Sequence, residues 1–166
     1  MNSRDREYIH VRIGEIKFGK KGAVLQATLG SCLGVAIIDR VKKRCGLAHC
    51  FLPEGEGKSP DAQPGKYVVD AIPYLLTKLN LESRLQDDFE IYLAGGGNMM
   101  AQLKQRNVDH IGKLNKAKAL EILQEKKLTI RKILDGEELA TKIIIDCDTL
   151  EIKMIRINDK SEQKNE

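Results

Sequence analysis

The chain has no tryptophan, only three phenylalanines and four tyrosines. So few rings leave little for base stacking, which argues against a single-stranded nucleic-acid binder. No apolar run approaches the roughly 18 residues of a membrane helix, so no membrane insertion is expected. Met1 to Glu7 is polar with no apolar segment behind it, so a secretory signal is not expected and a cytoplasmic location is. No CxxC pair exists. Cys45, His49 and Cys50 lie close together but Cys147 is isolated, so structural-zinc spacing is absent and no metal is expected. Gly95 to Gly97 is not followed by Gly-Lys-Ser/Thr and does not match dinucleotide-fingerprint spacing, which excludes both phosphate-binding loops. Charge is nearly balanced, 28 Lys+Arg against 24 Asp+Glu, and the resulting +4 is too small an excess to mark a nucleic-acid partner.

What is present is an ordinary globular balance: 166 residues, 42% hydrophobic and 31% charged. This predicts one domain over 1–158 with a core of its own, and a disordered polar tail over 159–166. The four cysteines read as reduced thiols. Charge is uneven, with nine basic and three acidic residues between Ala101 and Lys132. Such a face suits either an acidic partner or plain solvation.

The apolar pattern predicts strands over Arg12 to Phe18, Ala23 to Leu29 and Leu33 to Asp39, then a basic turn and a return strand from Cys45 to Leu52. Glu54 to Gly65 reads as a surface loop. Val68, Ala71, Ile72, Leu75, Leu76 and Leu79 form one helical stripe, with Pro73 either in a first turn starting near Asp70 or at a kink. Phe89 to Ala94 is a strand. Asn115 is the expected cap of a second helix from Lys116 to Lys127, with Ala117, Leu120 and Leu123 inward. Lys142 to Cys147 and Leu150 to Ile157 read as a hairpin around Asp148 and Thr149. The fold class expected is α+β, an α/β layered sandwich of mixed, mostly antiparallel sheets with two main amphipathic helices.

The densest chemical cluster is ATLGSC (Ala27 to Cys32) followed by CGLAHCFLP (Cys45 to Pro53). Cys32 sits where a loop enters a strand. A hairpin centred near Lys42 puts His49 opposite about Val35, within a few residues of Cys32. An imidazole there can take the thiol proton and give a thiolate–imidazolium nucleophile for attack on a carbonyl carbon. The alternative is a core cysteine beside an unrelated histidine. Cys45 and Cys50 read as core, and His10 and His110 as surface residues. Gly95 to Gly97 allows backbone N–H groups near a substrate oxygen, or is simply a tight turn.

ATLGSC, GLAHCFLPE (Gly46 to Glu54), PGKY (Pro64 to Tyr67), AGGGNMM (Ala94 to Met100) and HIGKLN (His110 to Asn115) occur in this order. Together they resemble the CheD family of chemoreceptor glutamine deamidases, over about Ile13 to Lys132. The resemblance implies a fold similar to deamidating toxins. It also implies a Cys-His thiol mechanism that hydrolyses receptor glutamine amides to glutamate with release of ammonia, without metal or organic cofactor. Cys32 and His49 fall on the family's cysteine and histidine. Its threonine position holds Gln26, and Thr28 lies two residues on, so either oxygen is a candidate to orient His49. After Ile133 the family's pattern is followed poorly. Chemoreceptors are the implied substrates and a CheC-like phosphatase a further partner. The alternative is a CheD-like binding module without catalysis that regulates receptors or such a phosphatase.

Overall fold

The structure, a computed structural model, describes residues 5–101 and 110–158. The polar tail 159–166, and residues 102–109 of the basic stretch, lie outside the described residues. The strands are β1 (Glu7–His10), β2 (Ile16–Phe18), β3 (Ala23–Leu29), β4 (Leu33–Asp39), β5 (Arg44–Cys50), β6 (Phe89–Gly95), β7 (Lys132–Asp135), β8 (Ala140–Asp146) and β9 (Ile152–Ile157). The helices are α1 (Val68–Lys78) and α2 (Ile111–Glu125), with a short 3-10 turn at Gln86–Asp88. Among the described residues no helix is long and apolar enough to cross a membrane.

One sheet has the order β1-β3-β8-β9 and the other β2-β5-β4-β6-β7. Pairing is antiparallel except for β1 with β3 and β6 with β7. The fold is therefore α+β, with mixed, mostly antiparallel sheets as expected.

Side-chain alternation divides the core into two layers. Leu33, Val35 and Ile37 of β4 pack with Ile72 and Leu75 of α1 and Leu123 of α2. Ala36 and Ile38 point the other way, against Leu25, Leu29, Ile143 and Ile145 of the four-stranded sheet. β4 is buried along its whole length, which explains its unbroken apolar run. Its end is fixed by the fully buried Asp39, whose carboxylate accepts hydrogen bonds from Arg84 Nη1 at 2.7 Å and Nη2 at 3.1 Å, and from Arg44 Nη2 at 3.2 Å.

Three expectations are corrected. The segment 12–18 is a strand only from Ile16, because Gly14 turns the chain at φ 85°. Pro73 lies inside α1, which starts at Val68, not in a first turn. The helix expected from Lys116 starts instead at Ile111, where the His110 side chain accepts from the Lys113 N–H and caps it. Its buried stripe differs as well: Asn115, Ala119, Ile122 and Leu123 are buried, while Ala117 and Leu120 are exposed.

Candidate active site

Cys32 ends the bend that joins β3 to β4. The β4–β5 hairpin closes between Asp39 and Arg44, so His49 stands opposite Gly34, one residue from the expected Val35. In a ladder, a one-residue slip moves a side chain to the other face. The observed register places His49 on the face of Gly34, which is also the face of Cys32. It is the inter-sheet face, shared with Ala36 and Leu47. Cys32 and His49 are thus diagonal neighbours, a relation that separates backbone positions by roughly 7–8 Å. Gly34 has no side chain to stand between them.

Three consecutive carbonyls hold the bend. Gly30 C=O accepts from Gly97 N–H at 3.0 Å, and Cys32 C=O from Gly96 N–H at 2.9 Å. Ser31 C=O accepts from Asn115 Nδ2 at 3.1 Å. The same amide donates to Phe51 C=O at 3.1 Å, tying the bend before β4 to the chain just past β5. Asn115 is fully buried in α2. It was expected as a helix cap, and its role here escaped the sequence reading. The polar type at a buried helical position was the available signal.

The glycine run has a packing role. Gly96 has φ 64°, and a Cβ on it would lie 2.8 Å from Gly112 O. A Cβ on Gly112 would lie 2.4 Å from Gly97 O. Two backbones meet there, and only glycine allows the approach. The N–H groups of Gly96 and Gly97 donate to the Cys32 and Gly30 carbonyls, in keeping with the tight-turn alternative for this loop.

His49 Nδ1 lies 2.8 Å from the Val11 carbonyl. A carbonyl only accepts, so Nδ1 carries the proton and Nε2 keeps its lone pair. Val11 is itself held by its N–H, which donates to Gln26 C=O at 2.8 Å. The ring is therefore oriented by main chain, and not by the side chain of Gln26 or Thr28. The reason is strand parity. Leu25, Ala27 and Leu29 of β3 face the inter-sheet core, so Gln26 and Thr28 face outward. Gln26 Nε2 meets His10 Nε2 at 3.3 Å, and Thr28 is exposed.

Cys32 is 6% exposed and His49 5%. Burial pushes the Cys32 thiol up to about 11. Burial also pushes the His49 imidazole below its ordinary value, against the raising effect of the Val11 hydrogen bond. Burial thus works against the thiolate–imidazolium pair that the sequence allows. Low polarity disfavours both charges. Alkylation of Cys32 by iodoacetamide should therefore rise about tenfold per pH unit from pH 7 to 10. A rate already flat below pH 8, read by peptide mapping, would show an ion pair instead. Cys45 and Cys50 are buried as expected.

Residues 51–156 match the family model described as CheD chemotactic sensory transduction. The matched span begins just after β5 and runs through β7, β8 and most of β9, although the resemblance was expected to fade after Ile133. The probable chemoreceptor glutamine deamidase CheD of Bdellovibrio bacteriovorus is 34% identical over 139 residues, covering 84% of this chain and 88% of that protein. The protein of the same name from Methanococcus maripaludis is 35% identical, covering 75% of each. The chemoreceptor glutamine deamidase CheD of Halalkalibacterium halodurans is 32% identical, covering 68% of this chain and 85% of that protein. A family match over most of the chain, joined to relatives above 30% identity along most of their own length, means that the chain belongs to the CheD family.

Proposed function

We propose that this chain is a chemoreceptor glutamine deamidase that uses Cys32 as nucleophile and His49 as general base and then acid. The names of its relatives support the reaction. The observation that carries the residue assignment is the Gly34–His49 register, which puts thiol and imidazole on one face of β4 and β5. The lone pair left on His49 Nε2 supports it further.

The chemistry follows from neutral partners. Nε2 takes the thiol proton as sulfur attacks the glutamine side-chain carbonyl carbon. Catalytic hydrogen bonds are commonly long in unliganded sites and tighten with substrate, so the diagonal spacing is compatible with this step. The imidazolium then protonates the amide nitrogen, the C–N bond breaks and ammonia leaves a thioester. Water, deprotonated by Nε2, attacks the thioester, releasing glutamate and restoring the thiol. No metal or organic cofactor enters the scheme.

The tetrahedral oxyanion needs donors. The C=O and N–H of a trans peptide point in opposite directions. Holding the Gly30 and Ser31 carbonyls aims the N–H groups of Ser31 and Cys32 the other way. Neither N–H enters a hydrogen bond among the described residues. We assign these two groups to the oxyanion.

A second reading is a docking module for receptors or for a CheC-type phosphatase. The near-complete burial of Cys32 and His49 favours it. Incubating the full chain with purified receptor fragments separates the two. Deamidation predicts released ammonia matched by glutamine-to-glutamate conversion in the peptide masses. Binding without ammonia would leave the docking module.

A further inference from the structure

At the far end of β5 from His49 lies a second pair of thiols. Cys45 Sγ donates to Cys147 Sγ across 3.8 Å. Cys45 lies in β5 of the five-stranded sheet and Cys147 in the turn that follows β8 of the other sheet. Gly19 makes room for both. A Cβ there would stand 2.4 Å from Cys45 Sγ and 2.9 Å from Cys147 Sγ. The pair borders a surface cleft of about 510 Å³ that Lys20, Lys21, Lys43 and Arg44 also line, with Asp148. Cys45 is buried and Cys147 half-buried.

We infer that Cys147 and Cys45 form a hydroperoxide-oxidisable dithiol, in which Cys147 is the attacking thiol and Cys45 the resolving one. The roles follow from the hydrogen bond and the exposure. The donated S–H of Cys45 lowers the pKa of Cys147, helped by backbone N–H groups of Lys20 and Leu25 and opposed by burial and by the Asp146 carboxylate. The same contact raises the pKa of Cys45, together with burial. A thiolate-prone, partly exposed sulfur in a basic cleft is the kind that peroxides oxidise.

The chemistry balances. Cys147 sulfur attacks one peroxide oxygen, the O–O bond breaks, and the departing oxygen leaves as water after protonation. Cys147 is now a sulfenic acid. Cys45 loses its proton and its sulfur attacks Cys147 sulfur. The S–S bond forms, the S–O bond breaks and a second water leaves. Two thiols lose two electrons and one peroxide is reduced to two waters. The sulfurs need to close from 3.8 Å to the ~2.05 Å of a disulfide.

The test uses the full chain with Cys32→Ser, so that the other reactive centre is silent, and hydrogen peroxide as the probe. Intact mass should fall by two hydrogens, and a non-reducing peptide map should show Cys45 joined to Cys147, reversibly with dithiothreitol. The Tm should rise by on the order of 10 °C, because the bond closes a loop of about 100 residues. Cys147→Ser should abolish the cross-link. Cys45→Ser should leave a sulfenic acid on Cys147 that dimedone traps. In the wild-type chain at pH 7, Cys147 should react at least about tenfold faster than Cys32. A map in which Cys45 and Cys147 stay reduced while other thiols oxidise overturns the inference. So does a link between molecules or through Cys50. The map of the Cys32→Ser protein decides the matter even if a Cys45 or Cys147 variant fails to fold.

Discussion

Cys32→Ala is expected to lower ammonia release from receptor glutamines by at least about 10⁴-fold while receptor binding stays within about twofold. Without the sulfur, His49 Nε2 can activate only water, and the covalent route through a thioester closes. The fold should survive. The anchors on the Gly30–Cys32 bend are carbonyls, which alanine keeps. The lost sulfur leaves a small gap at a residue that is 6% exposed, costing about 1 kcal/mol. Cys32→Ser should fall between wild type and alanine, since a hydroxyl gives up its proton less readily than a thiol. The readout is ammonia per receptor fragment over time, with binding measured in parallel. Equal release from wild type and alanine would remove Cys32 from the chemistry.

Gly112→Ala is expected to cut kcat by about 100-fold and lower the Tm by about 5–10 °C. The added methyl would meet Gly97 O at 2.4 Å and Gly96 C and O at 2.5 Å. All three are backbone atoms, so rotamer changes give no relief and α2 has to shift. Asn115 rides on the same helix, one turn further on. Its two 3.1 Å hydrogen bonds to Ser31 and Phe51 carbonyls have little slack before they break. The bend that presents Cys32 then loosens. Asn115→Ala removes the two bonds without the clash, and should reproduce the rate loss with a smaller change in KM than in kcat. Full activity in both variants would show that the catalytic bend does not depend on α2.

The parts of the fold that could be read in advance were those whose burial is one-sided or complete. β4 is a nearly unbroken apolar run because both its faces are covered, while β3 and β5 show the apolar residues of their inter-sheet faces. The α1 stripe from Val68 to Leu79 is buried at every position named for it. β1 and β7 were missed for the opposite reason. They are short, largely exposed, and pair in parallel with strands that are not joined to them by a hairpin, so neither alternation nor a turn marks them. Asn115 looked like a cap because asparagine favours that place when exposed. Tertiary burial overrode the preference. At the site, Cys32 and His49 were legible as residue types. The register that joins them depends on where the hairpin closes, at Asp39 and Arg44, which residue types alone do not fix. What holds the ring was not legible at all, since a carbonyl oxygen belongs to every residue equally.

The Val11 carbonyl that holds His49 has a consequence for how the site tolerates change. Side-chain replacement cannot delete an amide oxygen. Alanine scanning across Gln26 and Thr28 should therefore leave turnover within about threefold, because neither side chain holds the ring. The vulnerable feature is spacing instead. An inserted or deleted residue between β1 and β2 would carry a different carbonyl past the imidazole, so this stretch should accept wide substitution in type and almost none in length.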